Sequence, residues 1–244
     1  MNIITKNIPN TITCLNLLSG CLAIVTSFRF DTVLEPGLMG WQWSIIFIFA
    51  AAVFDFLDGL AARMLHAYSD IGKELDSLSD LVSFGVAPAM LLFNAMGLMH
   101  NHGLQWVHYM VFLIPLMGGL RLARFNVRDA QGDNSVFNGL PIPANALFWI
   151  GYVSWIWKYG LPEDYVVAIG ILLVSLSMVS NLVLPSLKFK NLKLKGNIGR
   201  YFIIIVTIVL LCIFGLPGLT WAILIYLIMG VFTRSPKPAS LNKQ

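Results

Sequence analysis

Apolar residues run along this chain in long blocks separated by short polar connections. Eight blocks are legible, at about 11–28, 41–62, 76–97, 106–125, 143–159, 165–184, 201–214 and 216–232. About 20 helical residues cross a hydrocarbon core roughly 30 Å thick. The pattern therefore predicts an all-α integral membrane protein, a polytopic bundle of about eight transmembrane helices. Only GLPG at 215–218 separates the last two blocks. It reads either as a hairpin turn or as a kink in a re-entrant segment. The opening MNIITKNIP sets Met1, Ile3, Ile4 and Ile8 around Lys6, which predicts a short interfacial helix over 1–10, ending at Pro9. The first block carries Asn16 and Ser19 and has no small-residue cleavage site after it, so it is read as a retained helix and not a signal peptide. Residues 235–244 are polar and proline-bearing, a disordered tail. No internal repeat or second domain is visible, so 1–244 is one membrane domain.

Charge tests the span assignment independently. With the N-terminus and the even-numbered connections in the cytoplasm, that side holds fourteen of the sixteen Lys and Arg residues; only Arg29 and Lys158 fall outside. Such asymmetry follows the positive-inside rule and requires an even number of crossings, with both termini cytoplasmic. The net charge of +4 is then mostly a topology signal. No basic patch with interleaved aromatics points to nucleic acid, and the cluster at 188–200 suits anionic headgroups. Composition agrees: 57% hydrophobic and 11% charged, with a mean hydropathy of +0.77, exceeds what a soluble domain of this length can bury. Cys14, Cys21 and Cys212 sit in apolar blocks without metal-ligand spacing, as helix-packing residues do.

Against this background one stretch stands out. Residues 55–80 read DFLDGLAARMLHAYSDIGKELDSLSD and hold half of the chain's twelve acids. Asp55, Asp58, Gly59 and Ala62 share one helical face at i, i+3, i+4 and i+7. Gly72, Asp76 and Asp80 share another at i, i+4 and i+8. The two faces close one block and open the next, so four carboxylates converge with small residues beside them. An Asp within the membrane costs about 2.5–3.5 kcal/mol at mid-depth and less toward the interface. Protonation relieves such a cluster, and so does a divalent cation. Oxygen-only ligands suit Mg²⁺, Mn²⁺ or Ca²⁺ over zinc, and a hard cation at a membrane surface implies a phosphate-bearing substrate. Gly59 and Gly72 leave room for that substrate beside the backbone. For one or two of these acids, helix capping or pairing with Arg63 and Lys73 is an equal reading; four in this arrangement favour a site.

The segment D-x2-D-G-x2-A-R-x8-G-x3-D-x3-D, from Asp55 to Asp80 through Asp58, Gly59, Ala62, Arg63, Gly72 and Asp76, resembles the complete signature of the CDP-alcohol phosphotransferases. The resemblance implies a six-helix catalytic core over 11–184, with 199–232 as additional C-terminal helices. It implies that Asp55, Asp58 and Asp76 hold metal against a CDP diphosphate, with Asp80 as general base and shared ligand. Asn10, Thr13, Gly59, Ala62, Arg63 and Gly72 would bind the CDP portion. It further implies a homodimer; the inner membrane is the expected location, and the charge map turns the active site toward the cytoplasm.

Three stretches bear on the acceptor: PNTITCLNLLSG with Asn10, Thr13, Asn16 and Gly20; LVSFGVAPA with Ser83, Gly85 and Pro88; and GGLRLARFN followed by FNGLPIPAN. All three resemble the phosphatidylserine synthase branch, which implies CDP-diacylglycerol and L-serine as substrates. Asn16, Ser83, Arg121 and Arg124 are the acceptor candidates. A serine carboxylate suits an Arg fork, yet both arginines read equally well as positive-inside anchors. Asn126 and Asn138 are weaker candidates for the ammonium. Another acceptor, glycerol 3-phosphate or an inositol phosphate, is the alternative within the family. An intramembrane prenyltransferase would need a second acidic motif, for which only Asp129 and Asp133 are present. A cation-coupled transporter would place its acids at the midplane between broken helices. His100, His102 and His108 lack acid or Cys partners and read as a loop with one interfacial ring.

Overall fold

The computed structural model describes residues 3–99, 105–130, 139–182, 184 and 197–232. His100, His102, Asp133, Asn138, the basic residues 188–195 and the tail beyond 232 lie outside the described residues, as do the side chains of Lys6 and Asp129.

The apolar blocks become helices. α1 spans Ile3–Ser27 and α2 Gly40–Met64. α3 (Asp70–Asp80) continues through a π-helical turn, Leu81–Val86, into α4 (Ala87–Met99). α5 (Gln105–Tyr109) passes through a 3₁₀ turn, Met110–Phe112, into α6 (Leu113–Ala130). α7 (Ile142–Tyr159), α8 (Asp164–Val179), α9 (Ile198–Phe214) and α10 (Gly218–Phe232) follow. The described residues contain strand only in a small hairpin between α1 and α2, with β1 (Val33–Leu34) antiparallel to β2 (Leu38–Met39). The chain is thus a polytopic helical membrane protein. Asn7–Ser27, Gly40–Met64, Asp70–Leu98 and Trp106–Arg128 are each long and apolar enough to cross a bilayer.

Three boundaries differ from the sequence expectation. α1 does not end at Pro9 but runs through it. A proline this near a helix start removes one amide donor, and the Pro9 carbonyl still serves the helix by accepting from Thr13 Oγ1 at 3.0 Å. The third span begins at Asp70, six residues before Asp76, because Ser69 caps it by accepting from the Gly72 N–H at 3.0 Å. Its first turns are polar, which hydropathy alone could not count. α8 stops at Val179, short of residue 184. The GLPG segment is a hairpin: Gly215 takes a positive φ of 71°, the Gly218 N–H donates to Gly215 O at 2.9 Å, and α9 packs on α10.

α7 is the central strut. Ile142, Phe148, Trp149, Ile150, Val153 and Ile156 are all buried there, and α4 and α10 pack against it. At the end remote from the acids, Trp157 of α7 meets Phe30 and Trp41, with ring centroids 5.9 and 5.7 Å away. At the acidic end α1 packs on both α2 and α3, which brings the two halves of the signature together.

Candidate functional site

Asp55 and Asp58 lie in the last three turns of α2, and Asp76 and Asp80 in the last two turns of α3. One carboxylate oxygen each from Asp55, Asp76 and Asp80 lies within 4.8 Å of the others. At that spacing each pair of charges repels by about 3 kcal/mol at an effective dielectric near 20, so the triangle calls for a cation or a proton. Asp58 stands beside it and is buried, with its Oδ2 lacking a hydrogen-bond partner among the described residues. Asp76 Oδ1 and Asp80 Oδ1 are buried and unpartnered in the same way. Orphaned carboxylate oxygens on a small all-oxygen triangle fit a hard divalent cation. The residues present therefore suit the metal that the signature implies.

α1 supplies the third wall. It is fixed to α3 by a ladder of polar contacts: Ser79 Oγ donates to Thr13 O at 3.3 Å and Ser83 Oγ to Asn16 O at 3.1 Å. Gly72 lets the two helices close at the mouth, where an added Cβ would lie 2.8 Å from Asn10 Oδ1. Gly20 does the same deeper, since a Cβ there would collide with Ser83 Oγ.

A cavity of about 630 Å³ opens beside the acids, within the usual range for a small-molecule site. Asn10, Thr13, Gly59, Ala62 and Gly72 line it together with Asp58 and Asp76. Five of the six CDP-binding candidates are thus brought together. The sixth, Arg63, is exposed and folds back to donate from Nε to Gly59 O at 2.8 Å. Pro9, Ala67, Tyr68, Ser69, Asp70, Lys73 and Phe125 complete the lining. Sequence reasoning passed over Tyr68 and Ser69 because the signature treats 64–71 as spacer; their place between Arg63 and Gly72 was the available signal.

The acceptor candidates divide. Asn16 is fully buried, and its side-chain amide faces Asp80. Arg121 is within electrostatic reach of Asp80 and of Tyr226 from α10, and its Nε is buried with no hydrogen bond among the described residues. Arg124 is exposed and turned to α8, where it donates to Val179 O and to Asn181 Oδ1. Ser83 is buried and spends its hydroxyl on Asn16 O. Asn126 donates to Ser77 Oγ at 2.9 Å, which places it on the flank of α3. His108 meets the Phe93 ring edge-on, with centroids 6.3 Å apart, remote in sequence and structure from the acids.

Comparison with known proteins adds an independent line. Residues 6–184 match the family model for CDP-alcohol phosphatidyltransferase. The chain is 36% identical over 226 residues to the CDP-diacylglycerol–serine O-phosphatidyltransferase of Methanocaldococcus jannaschii, covering 92% of each. It is 29% identical to the Helicobacter pylori protein of the same name, over 91% of this chain and 89% of the relative. The Bacillus subtilis protein of that name is 35% identical over 182 residues, 74% of this chain and 91% of the relative.

Proposed function

The chain belongs to the CDP-alcohol phosphatidyltransferase family, and we propose that it transfers a phosphatidyl group from CDP-diacylglycerol to the hydroxyl of L-serine, giving phosphatidylserine and CMP. The observation that carries this reading is the Asp55–Asp76–Asp80 triangle at the end of a cavity lined by the signature's small and polar residues.

The cavity receives the cytidine diphosphate between α1, α2 and α3. Asn10 and Thr13 offer polar contacts from α1, while Gly59, Ala62 and Gly72 leave space for sugar and phosphate. Asp55, Asp58, Asp76 and Asp80 would hold a divalent cation, Mg²⁺ or Mn²⁺ with Ca²⁺ as the third candidate. When bound, such a cation would neutralise charge on the diphosphate and on the departing CMP. The acceptor approaches from the Asn16 and Arg121 side. Its hydroxyl oxygen forms a bond to the phosphorus that carries diacylglycerol, the bond from that phosphorus to the CMP oxygen breaks, and the hydroxyl proton passes to Asp80. Arg121 suits the serine carboxylate, since its guanidinium lies near the same acid and keeps donor capacity. The reading extends to a homodimer in the inner membrane with its site toward the cytoplasm; the distribution of Lys and Arg supports that sidedness.

The test supplies purified protein with CDP-diacylglycerol and Mn²⁺ or Mg²⁺, offering serine, glycerol 3-phosphate or an inositol phosphate in parallel. CMP release is expected with serine alone, to stop on chelation and to return with added metal. Release with a different acceptor reassigns the substrate, and release with none removes the transferase reading.

A further inference from the structure

The helix that carries Asp76 and Asp80 is not a regular α-helix. Immediately after Asp80 it widens into the π turn Leu81–Val86, closed by the Ala87 N–H donating to Val82 O. One extra residue in a turn rotates everything beyond it by about 100° relative to a regular helix. The turn therefore decides which face the acids present to α1 and α2 while α4 keeps its apolar face in the core. It also contains Ser83, which ties α3 to α1.

Such a turn needs outside support. Pro88 has no N–H to give the Phe84 carbonyl four residues earlier. That carbonyl is satisfied from another helix: Asn145 Nδ2 of α7 donates to Phe84 O at 3.0 Å. Asn145 is itself oriented by Trp149, whose Nε1 donates to Asn145 Oδ1 at 2.9 Å. Both side chains are fully buried on the central strut, so no water competes for the carbonyl. The same turn is wedged by Ile142, whose Cδ1 fills the space over Gly118 of α6, one turn before Arg121.

We propose that Asn145 is a positioning residue for the reaction: by donating to Phe84 O it locks the π turn in the register that sets Asp80 into the carboxylate triangle and Ser83 against α1. It touches neither substrate nor metal, and acts through the helix that does. The transfer readout rests on the function proposed above; the metal-binding and stability readouts do not.

Asn145→Leu keeps nearly the same volume but cannot donate to Phe84 O. It is expected to weaken Mn²⁺ binding to the purified protein, followed by electron paramagnetic resonance, by about 10- to 100-fold, as loss of outer supports does at metal sites. Serine-dependent CMP release should fall comparably. Trp149→Phe, which leaves the Asn145 donor in place, should shift both far less. Pro88→Ala separates positioning from simple satisfaction of the carbonyl, because it restores an N–H four residues beyond Phe84. In the Asn145→Ala, Pro88→Ala double variant the midpoint of thermal unfolding should recover relative to Asn145→Ala, while Mn²⁺ affinity stays low. Recovery of both would make Asn145 a structural hydrogen bond only. Recovery of neither, or wild-type Mn²⁺ affinity in Asn145→Leu, would equally overturn the proposal. Wild-type protein that binds Mn²⁺ but transfers to no acceptor would remove the functional reading and leave the Mn²⁺ comparison to judge Asn145.

Discussion

At the scale of single residues, Asp80 and the two arginines have distinct surroundings, and substitution tests the roles proposed for them. Asp80 completes the triangle and lies beside the buried amide of Asn16, so it can both bind and accept a proton. Asp80→Asn keeps the shape but removes the basic oxygen. Serine-dependent CMP release should fall by about 10²–10⁴-fold, the usual share of a general base; a rate near that of the wild type would place the base elsewhere. Arg121 and Arg124 looked interchangeable along the sequence, three residues apart on one helix. Their partners now differ. Arg121→Ala should chiefly raise the serine concentration needed for half-maximal rate, because its guanidinium lies within reach of Asp80. Arg124→Ala should leave that concentration nearly unchanged and lower thermal stability, because Arg124 serves the last carbonyl of α8. Equal effects on serine dependence would return both to one role. The acids themselves were legible in the sequence, since four carboxylates on facing sides of two membrane helices are too costly to keep without a cation or a proton. Which arginine points inward was not, because position on a helix does not fix the path of a long flexible side chain.

At the scale of elements, the site depends on how closely α1 lies on α3. Periodicity identified the faces, and spacing placed the acids on them. The contact that holds those faces together is made by serines and glycines whose meaning appears only in three dimensions. Ser79 and Ser83 bond backbone carbonyls of α1, and Gly20 removes the side chain that would otherwise stand in Ser83. Gly20→Val should force the helices apart at a cost of about 1–3 kcal/mol and weaken Mn²⁺ binding, read from metal-dependent shifts in the unfolding midpoint. Gly97→Val provides the comparison, since open space surrounds Gly97. Equal metal-dependent shifts in the two variants would show that the α1–α3 spacing does not govern the triangle. The π turn was similarly hidden: LVSFGVAPA reads as plain apolar helix until Pro88 is seen to leave a carbonyl for α7.

At the scale of the whole molecule, topology joins these elements to the membrane. The charge asymmetry requires an even number of crossings, and the C-terminal hairpin keeps that parity whether it spans fully or turns back. Its helices have 17 and 15 residues, about 22–25 Å at 1.5 Å per residue, against a core of about 30 Å. Its depth is set by α7. Thr220, two residues past the start of α10, donates to Phe148 O at 3.0 Å and stands over Gly151. Phe148 precedes the Trp157 ring layer by nine residues, about 13 Å along the helix. The Thr220 backbone lies level with Gly151, six residues or about 9 Å below that layer, so the hairpin tip ends several ångströms short of it. Single cysteines in a chain with Cys14, Cys21 and Cys212 changed to serine report this directly. In intact cells a membrane-impermeant maleimide should label Glu35→Cys, on the β hairpin, and should spare Tyr68→Cys, at the cavity mouth, until lysis. Leu216→Cys, at the hairpin tip, should resist the impermeant reagent and react with a permeant one. Labelling of Leu216→Cys from outside would mean that the bilayer thins to meet the hairpin. Labelling of Tyr68→Cys from outside would invert the protein and place the aspartates away from the cytoplasm.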